Sequence, residues 1–589
     1  MKSAFLLILF ILSITIIGYG QDEPFSLTVL NQKPAIPADR YRLMHPFDIT
    51  YGADNYLYIT EKPGRICRVD TGTGVRKVIL DIRSKVYLGI SRDGSGAATG
   101  ISQNGMLGMA LHPGFSKQPG KDSIFVAYCY NSQFLRISRF FFDFATTTIV
   151  PASETVLIEG IPSGADHSSG RLIIGADNKL YYSCGDMGHN QFNNRCKEIL
   201  AQYLPSLTDI QNKDYGRYSG KILRINLDGS IPLDNPLWSN VRSHIFTIGH
   251  RNPQGLVWQK DPSNGTPFPT LTAGGTLYSS EHGPNTDDEI NILEGGKNYG
   301  WPYIAGDTDN VNYRYNRWFE ATNCGSIGYV EDPGYTPPGA TYTLEKNAPA
   351  SVKANFRKPL KSTYTTCGAL SVSKCEIANG GWLKFPTIAP SSIEFYELNI
   401  GKGVPGWYPS LLVPTLRRGT VYRFKLDPSG TTIISDSIPY FGSADRYRDI
   451  ALSPDGKIYI ITDSIGSTSG PSAQNPSTLV HRGAILEYRY TGTVLSLPDP
   501  EKPGIPDPAT VVTIYPNPAG AVLHISLGKV RHMPVTYQLY DMTGRIALSG
   551  VITKDRISLP VAHLMRGLFV LKLYDNNRTE IKHQKVILQ

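Results

Sequence analysis

Two strand patterns recur along the chain. In the first, a turn precedes a strand of alternating aromatic residues: GADNYLYIT at 52–60, GADNKLYYS at 175–183, SPDGKIYII at 453–461 and, more weakly, GGTLYSSE at 274–281. The second begins at a glycine and alternates apolar with basic residues: GRICRVD from Gly64, GKILRINLDG from Gly220, GTVYRFKLD from Gly419 and GAILEYRY from Gly483. Such alternation is typical of half-buried strands. Repeated strand pairs at irregular spacing predict β-propeller blades with long loop insertions, and a jelly roll or double sandwich is the rival fold.

The chain divides into four segments. Residues 1–20 hold a lysine, an apolar run and a small-residue ending, which predict a cleavable secretory signal. An uncleaved anchor is the alternative, but the run is shorter than the roughly 20 residues of a membrane span, and no later stretch reaches that length. We predict a β-propeller over 21–494, a stiff linker over 495–508 with five prolines, and a small β-sandwich over 509–589.

Composition supports an all-β, globular, secreted protein. The 589 residues include 57 Gly, 42 Pro and 34 Tyr, and 41% are apolar. The net charge is +8, but the last 81 residues hold ten Lys and Arg against four Asp and Glu, so the body is nearly neutral. Without a basic block interleaved with aromatic residues, nucleic acid is excluded as a partner.

The seven cysteines are too sparse to form a disulfide framework. Cys367 and Cys375 lie in one loop-like region and are the best candidate pair. Cys67, Cys129 and Cys184 sit in strand-like runs, which predicts buried thiols.

Polar residues follow several of the predicted strands. Asp166 and His167 lie in a Gly/Ser-rich loop, where a neutral imidazole beside a carboxylate can act as a base. Asp186 and Gln191 follow the next strand and could reach the same rim of the propeller. The alternatives are a solvated loop histidine and an Asx-turn that closes a hairpin.

Arginines and acids in other loops suggest an anionic ligand and a metal. Arg251 lies in GHRNPQG at 249–255, and Arg446 and Arg448 lie in DRYRD, where guanidinium forks suit carboxylates. The segment SSEHGPNTDDEINIL at 279–293 offers the carboxylates and carbonyls that calcium accepts. Solvated surface arginines and a solvated acidic loop are the alternatives.

Together these segments resemble the soluble quinoprotein glucose dehydrogenases, within the glucose/sorbosone dehydrogenase family, from about Pro34 to Tyr490. The matching segments are SQNGMLGMALHPGF, GADHSSGRLIIGADNKLYYSCGD, GKILRINLDGSIP, HIFTIGHRNPQGL, SEHGPNTDDEIN, NYGWP, FPTIAPSS, LLVPTLRRG and DRYRDI.

The resemblance implies a six-bladed propeller that uses pyrroloquinoline quinone (PQQ) and calcium to oxidise an aldose, with an external electron acceptor. It leaves a homodimer open. His167 would be the general base and Asp186 would orient it. Gln103, Asp166 and Gln191 would contact the sugar.

The resemblance also implies the cofactor and metal residues. Arg251 and Asn252 would lie by the reacting carbonyl, and Arg417, Arg446 and Arg448 would complete the cofactor site. Main-chain carbonyls of Gly283 and Pro284 would hold calcium, while Asp288, Glu289 and Asp309 would serve further calcium sites. The chain departs from the family where His282 replaces glutamine, Arg417 replaces lysine and Lys384-Phe385 replaces Cys-Trp.

The tail resembles the C-terminal sorting domain of type IX secretion in Bacteroidetes, through IYPNPA, LYDMTGR, GLFVLKLYD and the terminal KVILQ. This implies export through the periplasm to the medium or the outer cell surface by the secretion machinery. A carbohydrate-binding sandwich is the alternative for the tail. For the body, a non-catalytic extracellular binding propeller and a calcium-dependent adhesin are the rivals, but neither explains His167 together with Arg251, Arg446 and Arg448.

Overall fold

The chain forms two compact units, Met1–Leu497 and Pro498–Gln589. The computed structural model describes residues 23–30, 42–92, 98–260, 275–284, 286–309, 313–330, 334–363, 387–398, 403–435, 437–465, 479–492, 512–527, 534–541, 545–575 and 580–589. The described part is mostly β, as the sequence predicts. The predicted signal, the linker, Cys367, Cys375, Lys384 and Phe385 lie outside these residues.

The strands of the first unit follow one another closely along the chain. They are β1 (Phe25–Val29), β2 (Pro46–Tyr51), β3 (Tyr56–Glu61), β4 (Arg65–Asp70), β5 (Arg76–Asp81), β6 (Ile90–Arg92), β7 (Ala98–Ile101), β8 (Met106–Leu111), β9 (Ser123–Cys129), β10 (Phe134–Asp143), β11 (Thr148–Pro162), β12 (Ser169–Ile174), β13 (Lys179–Cys184), β14 (Lys221–Asn226), β15 (Leu237–Trp238), β16 (Val241–Arg242), β17 (Ile245–Ile248), β18 (Pro253–Trp258), β19 (Leu277–Glu281), β20 (Asp288–Leu293), β21 (Arg314–Asn316), β22 (Tyr342–Leu344), β23 (Lys361–Thr363), β24 (Glu394–Tyr396), β25 (Ser410–Pro414), β26 (Val421–Lys425), β27 (Ile438–Tyr440), β28 (Tyr447–Leu452), β29 (Ile458–Thr462) and β30 (Ile485–Tyr490).

Helices are short and lie in the connections. Two α-helices lie in the described part of the chain, α1 (Leu207–Gln211) and α2 (Ala350–Ala354). The same residues include five single 3₁₀ turns: Phe192–Asn194, Gly216–Tyr218, Trp318–Glu320, Cys324–Ser326 and Glu345–Asn347. No helix among the described residues has the length and apolar character to cross a membrane.

Six four-stranded antiparallel sheets dominate the described residues of the first unit. Their strand orders are β2-β3-β4-β5, β8-β9-β10-β11, β12-β13-β14-β17, β18-β19-β20-β23, β24-β25-β26-β27 and β28-β29-β30-β1. In the last sheet the N-terminal strand β1 pairs with β30, with Phe25 opposite Tyr490. The first strand of each sheet contacts the first strand of the next, and β28 contacts β2, so the inner strands form a closed ring.

A repeated turn explains why the two sequence patterns form the second and third strands of these sheets. Asn55 and Asn178 occupy the same turn position with positive φ, a conformation that asparagine tolerates. In the first sheet Asp54 accepts from the hydroxyl of Tyr58 at 2.7 Å, and Arg68 on the next strand donates to the same carboxylate at 2.8 Å. The third sheet repeats this arrangement with Asp177, Tyr181 and Arg224.

The second unit forms two antiparallel sheets where the structure describes it. Their orders are β31-β32-β35 and β34-β33-β36-β37, from strands β31 (Thr513–Tyr515), β32 (Val522–Ser526), β33 (Val535–Tyr540), β34 (Ile546–Ile552), β35 (Arg556–Pro560), β36 (Gly567–Tyr574) and β37 (Glu580–Leu588). Leu523 and Ile525 of one sheet and Leu539 and Leu571 of the other belong to one buried apolar cluster. The sandwich remains a prediction, although both sheets contribute to this core.

One disulfide links Cys196 to Cys324 in the described part of the chain. The sequence favoured the nearby pair Cys367 and Cys375 instead, which the structure does not describe. Cys67, Cys129 and Cys184 are buried free thiols, as predicted.

Candidate active site

A buried histidine–aspartate pair forms the centre of the site. His167 ends the loop between β11 and β12, and Asp186 follows β13, so strand pairing brings the two side chains together. His167 Nδ1 lies 2.7 Å from Asp186 Oδ1, and both residues are almost fully buried. The connection is tight, because a Cβ at Gly185 would lie 1.9 Å from the carbonyl oxygen of His167.

Asp186 is held ionised by its surroundings. Its Oδ1 also accepts from the main-chain N–H of Gly188 at 2.9 Å, and its Oδ2 accepts from Trp301 Nε1 at 2.8 Å. Burial opposes ionisation, but His167 and Arg251 outweigh it and lower the pKa of the Asp186 carboxyl. A carboxylate beside Nδ1 fixes the proton on that nitrogen and leaves Nε2 of His167 as an acceptor.

A second carboxylate and two amides surround the other side of the imidazole. Asp166 Oδ1 accepts from Gln103 Nε2 at 2.8 Å and lies 3.9 Å from His167 Nε2. Asp166 Oδ2 accepts from Gln191 Nε2 at 2.8 Å, and the same amide nitrogen lies 3.2 Å from His167 Nε2. The Asp166 side chain is 35% exposed, so this polar group is open to a ligand.

Arg251 lies in a turn next to the polar residues that surround His167. It donates to Gln191 Oε1 at 3.1 Å, and its guanidinium lies 5.4 Å from the centre of the Trp301 ring. Its buried Nε has no hydrogen-bond partner among the described residues. Glu281 accepts from the main-chain N–H groups of both Arg251 and Asn252, which fixes the turn.

Two arginines share a single carboxylate in the last sheet. Arg446 Nε donates to Asp463 Oδ2 at 3.0 Å, and Arg448 donates to both oxygens of Asp463 at 2.9 and 3.0 Å. The predicted period-two arrangement of these arginines therefore holds. Burial lowers the pKa of Arg446, and the trio carries a net positive charge.

His282 indicates that the two groups face one space. Burial and the charges of Arg251, His167 and Arg448 lower the pKa of His282 to about 3. The imidazole is thus neutral, and its Nε2 donates to the carbonyl of Pro390 at 2.8 Å. Charges from both Arg251 and Arg448 therefore act on the same histidine.

Two further cations lie near this space. Burial and the neighbouring Arg418 lower the pKa of Arg417 to about 10. Burial and Arg448 lower the pKa of Lys62 to about 7, while its Nζ donates to the carbonyl of Ser102 at 2.7 Å. Concentrated buried cations of this kind favour an anionic ligand.

The predicted metal residues do not form a carboxylate cluster. Asp288 accepts from Gly283 N at 3.0 Å and from Ile388 N at 2.7 Å, so it ties two loops together. Glu289 accepts from Gly306 N, whereas Asp309 is exposed. The described residues contain no group of three or more His, Cys, Asp or Glu side chains placed to hold a metal.

Comparison with known proteins identifies the family. The model of the glucose/sorbosone dehydrogenase family matches residues 43–350 and 370–469. The chain belongs to the glucose/sorbosone dehydrogenase family. In this dehydrogenase, residues 513–589 match the secretion system C-terminal sorting domain. The tail therefore indicates secretion or export to the cell surface.

Individual relatives carry related names. The dehydrogenase is 36% identical over 464 residues to quinoprotein glucose dehydrogenase B of Acinetobacter calcoaceticus, an alignment covering 76% of this chain and 89% of that protein. It is 26% identical over 303 residues to an aldose sugar dehydrogenase of Escherichia coli, covering 51% and 58%. Among solved structures, the PQQ-bound aldose sugar dehydrogenase of Streptomyces coelicolor aligns with a TM-score of 0.47 and 22% identity, covering 79% and 98%.

Sequence reasoning missed several residues that shape the site. Trp301 lies in the quoted segment NYGWP but had no assigned role, and Glu281 and Asp463 were not singled out. Only the folded chain reveals their contacts with Asp186, Arg251 and Arg448.

Replacing Trp301 by phenylalanine tests how Asp186 is held. The variant loses the Nε1 donor but keeps an aromatic ring below Arg251. We expect kcat to fall roughly tenfold, because a hydrogen bond to a charged group contributes about 1.5–3 kcal/mol. The Asp186 pKa should rise, which moves the acid limb of the pH–kcat profile to higher pH.

Trp238→Phe is the matched control. Trp238 is 8% exposed, as is Trp301, and its Nε1 donates to Ile245 O at 3.2 Å, away from the site. If both variants lose equal activity with unchanged pH profiles, Trp301 acts only through packing.

Proposed function

We propose that this dehydrogenase is a secreted, PQQ- and calcium-dependent enzyme that oxidises a glucose-type aldose at the anomeric carbon to the lactone. The observation that carries the proposal is the His167–Asp186 pair. The other ring nitrogen of His167, Nε2, lies 3.2 Å from Gln191 Nε2 and 3.9 Å from Asp166 Oδ1, beside buried guanidinium groups. A carboxylate and two amides suit the hydroxyls of a sugar. The 36% identity to quinoprotein glucose dehydrogenase B supports this assignment.

The architecture proposed for this function is a six-bladed propeller over 21–494. Six four-stranded sheets with a closed ring of inner strands support it. We propose a linker over 495–508 and a sorting sandwich over 509–589, which would be recognised by type IX secretion machinery; the two sheets with a common core support the sandwich.

The protein residues fit an anionic quinone. Arg446 and Arg448 both pair with the carboxylate of Asp463, so these three side chains together carry a formal positive charge. The buried Nε of Arg251 lacks a partner among the described residues and can donate to a carbonyl oxygen. Asn252, Arg417, Arg446 and Arg448 would hold PQQ with Arg251. When bound, PQQ supplies a two-electron acceptor for hydride.

The loop of Gly283 and Pro284 fits a calcium site made of main-chain carbonyls. A Cβ at Gly283 would lie 1.9 Å from the carbonyl oxygen of Thr286, so only glycine allows this turn. Carbonyl oxygens are hard ligands of the type that calcium accepts, and they require no carboxylate cluster. We propose further calcium sites at Asp288, Glu289 and Asp309; the first two are buried carboxylates, and carboxylate oxygens are hard ligands of the same kind.

Proton transfer falls to His167. Its Nδ1–H donates to Asp186, so Nε2 accepts the proton of the anomeric hydroxyl. As that O–H bond breaks, the C1–H bond breaks with loss of hydride, and the carbon–oxygen double bond of the lactone forms. With PQQ bound as the hydride acceptor, the Arg251 guanidinium would donate to a carbonyl oxygen of the cofactor. Gln103, Asp166 and Gln191 orient the sugar, and an external acceptor completes turnover.

Reconstitution tests the proposal directly. The purified chain is loaded with PQQ and calcium, dye reduction is followed against a panel of aldoses, and the product is identified as lactone by mass spectrometry. Activity on glucose-type sugars that is lost on calcium chelation and restored by calcium is expected. Cofactor and sugar binding without oxidation of any sugar would favour a non-catalytic binding protein.

Arg448→Gln should weaken PQQ binding. The variant loses a guanidinium, while Asp463 keeps its contact with Arg446. We expect the Kd for PQQ to rise roughly tenfold to a hundredfold, because a charge-assisted hydrogen bond contributes about 1.5–3 kcal/mol. Titration of the apoprotein by absorbance measures it. Arg489→Gln, at an exposed position of β30, is the control, and equal Kd values for both variants would remove Arg448 from the cofactor site.

A further inference from the structure

Residues 187–196, here called the Gln191 loop, carry Gln191, which the proposed function assigns to sugar binding. Other residues of this loop have an unusual backbone conformation. Met187, Asn190 and Phe192 all have positive φ, between 43 and 64°. L-residues rarely adopt this region, and it persists only where the surrounding structure imposes it. Hydrogen bonds within the loop, such as Asn194 Nδ2 to Met187 O at 3.2 Å, and contacts from outside the loop together maintain this conformation.

Those outside contacts come from residues 313–330, here the brace. Asn190 Nδ2 donates to the carbonyl of Asn316 at 2.7 Å. Arg195 donates to the carbonyls of Cys324 at 3.3 Å and Gly325 at 2.9 Å. The ring centres of Phe192 and Tyr329 lie 4.9 Å apart.

The Cys196–Cys324 disulfide joins the Gln191 loop to the brace covalently. Gln191 lies five positions before Cys196 and makes three site contacts, with Asp166, His167 and Arg251. The position of the Gln191 loop therefore determines the position of the Gln191 amide relative to the sugar.

We propose that the Cys196–Cys324 disulfide is a positioning element of the sugar site, which holds Gln191 against Asp166 and His167. This inference rests on the proposed function. Cys196 is exposed, so a dithiol can reach it. Reduction by dithiothreitol breaks the S–S bond, forms two thiols and converts the reagent to its cyclic disulfide. The released loop then binds sugar less well, while the His167–Asp186 pair is unchanged.

The experiment compares the PQQ- and calcium-loaded full chain with the C196S/C324S double variant, using D-glucose. We expect KM to rise about 5- to 20-fold and kcat to stay within threefold. Wild-type protein reduced with dithiothreitol, from which the reagent is removed before assay, should show the same change. The double variant should not respond to the reagent, which controls for every other cysteine. Equal KM in the two proteins, or a loss confined to kcat, overturns the proposal.

A mutant cycle shows whether the disulfide acts through Gln191. In a Gln191→Ala background, removing the disulfide should leave KM nearly unchanged, because the positioned group is already absent. A KM rise as large as in the parent chain would contradict the proposal. If the double variant fails to fold, Arg195→Gln loosens the same contacts with the disulfide intact, and KM should rise about threefold.

Hydrogen exchange separates this inference from the proposed function. Reduction should increase amide exchange in residues 187–196 relative to β13, whether or not any sugar is oxidised. Unchanged exchange overturns the positioning role even in an active enzyme. If exchange increases but the chain oxidises no aldose, the Cys196–Cys324 disulfide still holds the Gln191 loop in place, and the proposed function is rejected.

Discussion

Replacing His167 by glutamine is expected to lower kcat for aldose oxidation by roughly 10²–10⁴-fold, the range that general-base catalysis contributes. Glutamine keeps a polar side chain of similar reach, but its amide cannot take up a proton near neutral pH. Steady-state dye reduction measures the loss. PQQ and sugar binding should change little, because the variant keeps Arg251, Arg448 and Asp166.

His112→Gln is the matched control for that variant. His112 lies at the end of β8, where its Nδ1 accepts from the N–H of Gly114 at 3.0 Å, outside the site. The control should retain wild-type kcat. If His167→Gln retains a kcat within tenfold of the wild-type value, another group must remove the proton, and the assignment of His167 as the base is wrong.

The strands could be predicted because each depends on local alternation and a local turn. The sequences following the turns at Asn55 and Asn178 form β3 and β13, as the aromatic pattern indicates. The closure of the sheets into a ring could not be predicted from local patterns, because it depends on pairing between strands that lie far apart along the chain. Strand β1 has no distinctive pattern, and its partner β30 lies at the other end of the first unit.

The site likewise contains residues that the sequence predicts and residues that only the folded chain reveals. His167, Asp186, Gln191 and Arg251 stand in motifs that resemble a known family, and the folded chain brings them together. Trp301 could not be assigned, because its contact with Asp186 joins residues 115 positions apart. The Cys196–Cys324 disulfide also could not be assigned, because its two cysteines lie 128 positions apart along the chain.

Arg171 should have the largest effect on the stability of the first unit. It is buried on β12, and its NH1 donates at 2.6 Å to both Asp48 on β2 and Asp449 on β28. Its other nitrogens donate to the carbonyls of Gln254 and Ser391. A single guanidinium therefore links strands from separate sheets at the centre of the ring.

Removing this charge leaves two buried carboxylates without a cation. Arg171→Met is expected to cost about 3–5 kcal/mol of unfolding free energy at pH 8, the range for breaking a buried ion pair. Burial already raises the pKa of Asp48 to about 7 despite Arg171. A pKa raised by folding favours the folded state at low pH, and that contribution disappears as pH rises through 7. The loss should therefore be smaller at pH 5, where the Asp48 carboxyl is protonated.

Urea denaturation of the full chain at pH 5 and pH 8 measures both effects. The triple variant R171M/D48N/D449N removes the cation together with the carboxylates, so it should recover much of the lost stability and lose the pH dependence. This contrast separates charge from packing, because the cavity left by Arg171 is the same in both variants. An equal loss at both pH values, without recovery in the triple variant, would mean that Arg171 joins the sheets through packing and its carbonyl contacts alone.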